Sequence, residues 1–292
     1  MRPIAENTVV QVEITNACHL SCANCTRHVG HHAEPFYMDL DTVEQAIDSL
    51  DGCPSRVGIM GGEPVKHPQF AEICQIVQRK VAPEKREFWT AGFRWGRHKA
   101  LIEETFPRIN YNDHIATGGR HHPLLVAIEE VVDDPELRRQ LIDNCSYQSH
   151  WSASITPLGA YFCEIAASMG AMFGIKGWPI EPGWWKRGVA DYAEQIETFC
   201  NKCSGALPMP PHPDMRGGRD KPNRDVMSPG NYERLKAIGS PKVLAGGYEI
   251  WDRKITAEDL AGLKDWQPRQ YRDFEAHNPE DIKSHLTGAK TC

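Results

Sequence analysis

The sequence predicts an α/β fold in which parallel strands alternate with helices and build a partial (β/α) barrel. Three observations lead to this prediction. An apolar strand-like run lies near the N-terminus, strands and helices alternate through the first half of the chain, and the 292 residues, 40% of them hydrophobic, suffice for a large core. Only about 80 residues separate Pro64 from Cys145, too few for the remaining units of a full barrel at roughly 30 residues each.

The first two strand–helix units follow from their apolar spacing. VVQVEIT (9–15) alternates apolar and polar residues, which predicts a strand. LDTVEQAIDSL (40–50) has a helical apolar stripe, with Asp41 or Thr42 as its N-cap. RVGIM (56–60) is a short buried strand, and a helix follows over 69–80.

The rhythm continues to about residue 143. REFWTAG (86–92) and RINYNDH (108–114) predict strands, and KALIEETF between them predicts a helix. A helical stretch is expected over 123–143. Because parallel strands share their carboxyl edge, segments that directly follow these strands are expected to meet there.

The second half has a different pattern. HWSASITPLGAYFCEI (150–165) predicts a hairpin with TPLG as its turn. Helices are expected over 164–173, 189–199 and 230–237. Residues 204–230 are Pro/Gly-rich, and within them PMPPHPDMRGGRDKPNRD (208–225) predicts no regular element.

Composition narrows the classes of partner. The formal net charge of −6 argues against a general nucleic-acid or anionic-membrane surface, and no apolar run reaches the roughly 20 residues of a membrane span. The N-terminus lacks the apolar centre of a signal peptide, so a cytoplasmic location is expected. In that reducing compartment the ten cysteines are expected to be metal ligands or buried apolar residues rather than disulfides.

Three cysteines stand out directly after the first strand. Cys18, Cys22 and Cys25 have a C-x3-C-x2-C spacing. Thiolates are soft ligands that suit zinc or an iron–sulfur cluster. A zinc site would recruit a fourth ligand from three nearby histidines: His19, His28 or His31. An iron–sulfur cube on three thiolates would instead leave one iron open to an exogenous ligand.

GGEP (61–64) directly follows the second predicted strand. Two glycines allow close approach of the backbone to a ligand, and Glu63 offers a carboxylate to an ammonium group. The cysteine triplet and GGEP are therefore expected to lie together at the carboxyl edge of the sheet.

In this combination the chain resembles the radical S-adenosylmethionine (SAM) superfamily. The resemblance implies a [4Fe–4S] cluster on Cys18, Cys22 and Cys25, whose open iron binds the amino and carboxylate groups of SAM. Reductive cleavage of SAM then yields a 5′-deoxyadenosyl radical that abstracts hydrogen from the substrate. A flavodoxin- or ferredoxin-type protein is the implied electron donor.

The resemblance also assigns residues to SAM. Gly61, Gly62 and Glu63 would hold its amino group, with Pro64 completing the motif. Asn24 stands where the family usually has an aromatic residue near the adenine. The cluster ligands therefore match the family pattern, but the residue at the adenine contact does not. Thr90 and Asn112 are further candidates by their location after strands.

A second cysteine group follows residue 144. Cys145 precedes the hairpin, Cys163 ends it, and Cys200 and Cys203 form a C-x-x-C pair after a helix. A structural zinc site that resembles a zinc ribbon is one interpretation. The order also resembles the twitch domain, a shortened SPASM domain with an auxiliary [4Fe–4S] cluster. The implied organisation is a radical SAM core over 1–144, a twitch-like domain over 145–228 and a C-terminal extension over 229–292 that covers the core.

These features predict an oxidoreductase that acts on a polar small molecule such as a sugar, aminocyclitol or nucleoside. Four thiolates leave no open iron, so the auxiliary cluster would carry electrons and favour oxidation. The alternatives are a peptide maturase, a redox-neutral epimerase or a non-catalytic zinc protein. A maturase often has an N-terminal peptide-recognition domain, and none is expected before residue 18. Two histidine pairs, 31–32 and 121–122, are either bases near the site or solvated loop residues.

Overall fold

The computed structural model describes residues 1–112, 121–150, 152–209 and 223–260. These residues form an α/β fold around a six-stranded, largely parallel sheet with the strand order β4-β3-β2-β1-β5-β6. All neighbours in the sheet are parallel except β5 and β6. The strands of this sheet are β1 (Val9–Thr15), β2 (Arg56–Gly61), β3 (Arg86–Thr90), β4 (Arg108–Tyr111), β5 (Ala153–Thr156) and β6 (Gly159–Tyr161).

Helices connect the strands and extend the fold beyond the sheet. In the first half they are α1 (Leu40–Asp48), α2 (Phe70–Lys80), α3 (Trp95–Thr105), α4 (Ile128–Val131), α5 (Pro135–Asp143) and α6 (Ser146–His150). In the second half they are α7 (Glu164–Phe173), α8 (Ala193–Phe199), α9 (Pro229–Ala237), α10 (Pro241–Leu244) and α11 (Ala257–Leu260). Two short parallel strands, β7 (Asp225–Met227) and β8 (Tyr248–Ile250), form a separate pair.

The two faces of the main sheet differ in chemistry. Every residue of β1 is buried, so neither face of this central strand contacts solvent. Val10, Val12 and Ile14 belong to the large apolar core together with buried residues of α1 and α2. The opposite face carries Gln11 and Glu13, which are also buried. A buried polar sheet face is costly unless it forms a site or a hydrogen-bond network, so this face is where a function is expected.

The hairpin after residue 150 is confirmed, and it joins the main sheet. β5 pairs in parallel with β1 through Val10↔Ala153, Gln11↔Ser154 and Val12↔Ile155. Buried Trp184 and Trp185 pack in the same large core. Residues on both sides of position 144 therefore share one core, and the division into a core and a twitch-like domain stays a prediction.

Two local predictions are wrong. The N-cap of α1 is Asp39, whose carboxylate accepts from the Thr42 amide at 2.8 Å, and neither Asp41 nor Thr42 caps the helix. Residues 123–127 are not helical, because their backbone bonds elsewhere. The amides of Val126 and Ala127 donate to the hydroxyls of Ser204 and Ser228.

A second, smaller apolar core joins α4 and α5 to the C-terminal part of the chain. It contains Val126, Ile142, Leu207, Val226 and Ile255. The predicted helix over 230–237 is confirmed as α9. Residues 223–260 therefore pack on the rest of the molecule, whereas the predictions for residues 113–114, 210–222 and 261–292 lie outside the described residues.

Within the described ranges, no helix combines the length and apolar character needed to cross a membrane.

Candidate functional site

A cavity with about 560 Å³ of empty space, continuous with solvent, lies at the carboxyl edge of the sheet. The structure brings most of the predicted site residues to this cavity. The predicted residues that line it are Cys18, Cys22, Cys25, Gly61, Gly62, Thr90 and Asn112. Their strands are parallel and end at the same edge, which is why segments far apart in the sequence meet here.

Gly61 and Gly62 pack against the backbone that leaves β1. A Cβ atom on Gly61 would lie 2.0 Å from the Thr15 carbonyl oxygen, and one on Gly62 would lie 2.6 Å from the Ala17 carbonyl oxygen. The Gly62 amide donates to Thr15 O and the Glu63 amide to Ala17 O, both at 2.8 Å. The glycines thus join the ends of two neighbouring strands while also lining the cavity.

Glu63 lies behind the cavity wall. Its side chain is fully buried, and its carboxylate accepts from the Thr90 hydroxyl at 2.7 Å and the Ala91 amide at 2.8 Å. Thr90 and Ala91 line the cavity, whereas Glu63 is not among its lining residues. Burial raises the pKa of Glu63 to about 7, against the opposing hydrogen bonds from Thr90 and Ala91. Here Glu63 positions the end of β3, a contact that its sequence position does not reveal.

Pro64 is buried and begins a short 3-10 helix, Pro64–Lys66. A proline suits this first position because its missing amide is not needed there. It ends the close contact between β1 and β2 and turns the chain toward α2.

Asn24 has a structural explanation. It adopts the left-handed conformation with φ +51°, which asparagine tolerates better than most residues. Its amide donates to Asp225 Oδ1 at 2.5 Å, and its side-chain oxygen accepts from the Val226 amide at 2.9 Å. Asn24 therefore ties the loop of the three cysteines to β7, and it is not among the residues that line the cavity.

A buried ionic network continues from this contact. Asp225 lies 2.6 Å from Lys242 Nζ and 2.7 Å from His31 Nε2. Burial alone would raise its pKa, but the hydrogen bond with His31 and the charge of Lys242 lower the pKa of Asp225 to about 2. Lys242 also donates to the Cys22 carbonyl at 2.9 Å. Asp225 and Lys242 were not predicted from the sequence, where they stand about 200 residues from the cysteines.

Burial disfavours the thiolate forms of the three cysteines. Burial, with a smaller contribution from neighbouring thiols, raises the pKa of Cys18 to about 11 and of Cys22 to about 12. Burial also raises the pKa of Cys25. All three are protonated at neutral pH, so a bound metal group must supply positive charge if they are to act together as thiolates.

The polar face of the sheet reaches the same cavity through Arg27, which was not predicted as a site residue. Arg27 lines the cavity and is 3% exposed. Its guanidinium donates to Gln11 at 2.6 Å and to Glu164 at 3.0 Å, and lies 3.7 Å from Glu13. Burial raises the pKa of Glu13, opposed by the charge of Arg27. The sequence feature that could have indicated this network is the presence of polar residues in β1, a strand that is buried on both faces.

The second cysteine group surrounds another cavity, with about 360 Å³ of empty space. Cys145, Cys163, Cys200 and Cys203 all line it, and the rest of its wall is mainly apolar. Burial raises the pKa of all four thiols. The residue before α6, the N-cap of α7 and the 3-10 turn after α8 thus bring together the four cysteines that form one group in the sequence.

Within the described part of the chain, no three cysteine, histidine or carboxylate groups converge closely enough to hold a single metal ion. A tetrahedral zinc site would need sulfur atoms about 3.8 Å apart, from Zn–S bonds of about 2.3 Å. The four cysteines of the second group border one cavity.

The histidine pairs separate in the structure. His121 lines the first cavity and lies 3.2 Å from the Ala23 carbonyl. His122 is buried, which lowers its pKa to about 4. His31 is buried between Asp225 and Ser240 and is therefore neither a solvated loop residue nor a lining residue of the cavity. Of the four histidines in the two pairs, His121 is the one that lines the first cavity, where a base could accept a proton from a bound ligand.

Comparison with solved structures finds weak likenesses. The crystal structure of BtrN in complex with AdoMet and 2-DOIA is 17% identical, with a TM-score of 0.38 over 55% of this chain and 74% of that chain. Selenomethionine BtrN in an open conformation is 13% identical, with a TM-score of 0.39 over 73% of this chain and 92% of that chain. Both TM-scores are too low to establish a shared fold. No protein-family model and no curated protein matches the chain.

Replacing Gly61 by alanine should break the junction between β1 and β2. Since the new methyl group would lie 2.0 Å from a backbone oxygen, we expect the free energy of unfolding to fall by about 3 kcal/mol or more in urea titrations. Gly96 in α3 is the matched control, because nothing lies within 4 Å of its Cβ position. Gly96→Ala should be neutral or stabilising by up to about 1 kcal/mol. Equal losses for the two variants would contradict the proposed contact.

The raised pKa of Glu63 predicts a pH dependence of stability. The folded chain retains a proton that the unfolded chain releases near pH 4.5, so the free energy of unfolding should fall as pH rises toward and through about 7. The loss is about 1.4 kcal/mol per unit of pKa shift. Thr90→Val removes a hydrogen bond to the ionised carboxylate and should extend this fall to higher pH, measured by urea unfolding of the metal-free protein between pH 5 and pH 8.

Glu63→Gln is the control for this effect because its side chain cannot ionise. It should lack the part of the pH dependence that Glu63 contributes. If wild type and Glu63→Gln lose the same stability over this pH range, the pKa of Glu63 is not raised.

Proposed function

We propose that this protein is a radical SAM oxidoreductase that abstracts hydrogen from a polar small molecule. The observation that carries the proposal is the meeting of the three cysteines with Gly61, Gly62 and Thr90 around one cavity at the carboxyl edge of a largely parallel sheet. The motif spacing suggested these groups would be neighbours, and the strand order supplies the physical reason why they are.

The residues present fit an iron–sulfur cluster at this cavity. Cys18, Cys22 and Cys25 are soft donors that border a common space, as the ligands of one metal cluster must. Three thiolates would hold the cluster and leave one position for SAM. When bound and reduced, such a [4Fe–4S] cluster supplies the electron that cleaves SAM to the 5′-deoxyadenosyl radical.

The protein's own groups would bind and orient SAM. Gly61 and Gly62 present backbone without side chains to the cavity, which lets the amino-acid part of a ligand approach closely. Glu63 would act indirectly, by fixing Thr90 and the end of β3. Asn24 would hold the cysteine loop in place, so the adenine contact is proposed for other cavity residues such as Asn112.

The chemistry of the cavity wall supports a polar substrate. Arg27 lines the cavity and is held by Gln11, Glu13 and Glu164 on its buried side. Guanidinium N–H groups donate to hydroxyl, carbonyl or carboxylate oxygens of a ligand. His121 lines the same cavity and would accept a proton from the substrate after hydrogen abstraction. A sugar, aminocyclitol or nucleoside presents suitable groups.

The second cavity supports an auxiliary [4Fe–4S] cluster on Cys145, Cys163, Cys200 and Cys203. Four thiols border a mostly apolar space, and a cluster held by four thiolates would have no open iron, which suits a group that exchanges electrons and does not bind substrate. This favours a two-electron oxidation over redox-neutral epimerisation, with a flavodoxin- or ferredoxin-type protein as the external electron donor. A twitch-like organisation of residues 145–228 belongs to the same proposal.

Anaerobic reconstitution with iron and sulfide tests the proposal. We expect about eight iron atoms per chain, and release of 5′-deoxyadenosine when the reduced protein is given SAM. Iron, sulfide and zinc are measured together with the nucleoside product. A protein that takes up zinc alone, or that holds iron without cleaving SAM, would contradict the proposed function.

The two cysteine groups should lose metal independently. Replacing both Cys163 and Cys200 by alanine should halve the iron content while the SAM-dependent spectrum of the other cluster remains, because the two sets line separate cavities. Cys74→Ala is the control, since Cys74 is buried among apolar residues of α2. It should keep all the iron. Loss of both clusters in the double variant would show that the division into two sites is wrong.

A further inference from the structure

We propose that Asp225 and Lys242 are positioning residues of the loop that carries the three cysteines, and that their buried ion pair sets the electrostatic potential at this loop. The proposal rests on the proposed function, because it concerns the cluster that Cys18, Cys22 and Cys25 would hold. Both residues belong to the C-terminal part of the chain, Asp225 in β7 and Lys242 in α10.

The contacts anchor the loop on both sides of Cys25. Lys242 Nζ donates to the Cys22 carbonyl at 2.9 Å, and Asp225 Oδ1 accepts from the Asn24 amide at 2.5 Å. Beyond Cys25, the Lys242 amide donates to the Gly30 carbonyl at 3.0 Å, and Asp225 Oδ2 lies 2.7 Å from His31 Nε2. The two residues of the ion pair therefore contact the loop both before and after the third cysteine.

The anchor is rigid because each member is itself held. Lys242 Nζ lies 2.6 Å from Asp225 Oδ1, and the two side chains are 6% and 1% exposed. His31 is fixed from its other ring nitrogen by the Ser240 hydroxyl at 2.8 Å. Ser240 is the N-cap of α10, the helix that carries Lys242. The network thus forms a closed ring of contacts from Asp225 through His31 and Ser240 to Lys242, and it holds the loop at several points.

Burial of this ion pair costs hydration free energy, and a role in positioning the cysteine loop would explain why the pair is buried. A buried ion pair contributes little net stability compared with apolar side chains of the same size, because both charges lose their hydration. Groups that orient metal ligands from behind are, in contrast, worth about 10-fold to 100-fold in metal affinity. A pair placed directly behind Cys22 and Asn24 fits this second role.

The two charges act on the cysteines with opposite sign. The positive charge of Lys242, 2.9 Å from the Cys22 carbonyl, stabilises negative charge at the cysteine loop, and the negative charge of Asp225, which accepts from the Asn24 amide at 2.5 Å, opposes it. In the intact pair these effects partly cancel. Removing one partner should therefore shift the reduction potential of a cluster on these thiolates, in a direction that depends on which charge is lost.

The experiment compares Lys242→Met, Asp225→Asn and the double variant with wild type, after reconstitution with iron and sulfide. Two readouts are used besides activity: the rate at which a chelator removes iron, and the midpoint potential of the SAM-responsive cluster by EPR-monitored titration. The matched control is the exposed ion pair Lys254–Asp133, 2.6 Å long with side chains 53% and 76% exposed, changed to Met and Asn.

We expect both single variants to lose iron from the SAM-responsive cluster about 10-fold to 100-fold faster than wild type. Lys242→Met should lower the midpoint potential, because an unbalanced negative charge remains, and Asp225→Asn should raise it. The double variant should lose iron quickly but return toward the wild-type potential. The control pair should change neither readout.

Different results separate this proposal from the proposed function. If wild type binds no cluster or does not cleave SAM, the proposed function fails. If wild type does both while the single variants keep their iron and potential, the positioning role is wrong. If both single variants shift the potential in the same direction, the loop is merely loosened and the electrostatic part is wrong. Should the single variants not fold, the uncharged double variant decides the positioning role through its rate of iron loss.

Discussion

The close approach of the β2 end to the chain leaving β1 is the constraint on which the site depends. Gly61 and Gly62 lie against the carbonyl oxygens of Thr15 and Ala17, at distances that exclude any side chain. This contact sets where the cysteine loop begins and where Glu63 enters the protein interior. Through its carboxylate, Glu63 then fixes Thr90 on the next strand. Three strand ends are thereby held in one arrangement around the cavity.

The other side of the cavity depends on a part of the chain remote in sequence. β7 and α10 hold the cysteine loop through Asp225 and Lys242, while α7 contributes Glu164 to the network around Arg27. Cys163, the N-cap residue of the same helix, lines the second cavity. Residues from the second half of the chain thus complete the first site and build the second one. This shared use of α7 explains why the large apolar core continues across position 144.

Some of the site could be predicted from the sequence because topology alone determines it. Cys18, Cys22, Cys25 and GGEP follow successive parallel strands, and such strands end at one edge, so their meeting needs no knowledge of side-chain packing. The helical prediction over 123–127 failed because serine hydroxyls take the backbone amides there, which no local pattern records. Likewise, the contact of Asn24 with Asp225 spans about 200 residues, so Asn24 could be recognised as unusual but not explained.

Magnetic resonance on the reduced cluster tests the central claim most directly. The reconstituted, reduced protein would be mixed with SAM labelled with ¹⁵N in its amino group and measured by electron–nuclear double resonance. If SAM completes the site formed by the three cysteines, a ¹⁵N hyperfine coupling appears in wild type and persists when Cys163 and Cys200 are replaced. A cluster spectrum that is unchanged by SAM and carries no ¹⁵N coupling would contradict the account.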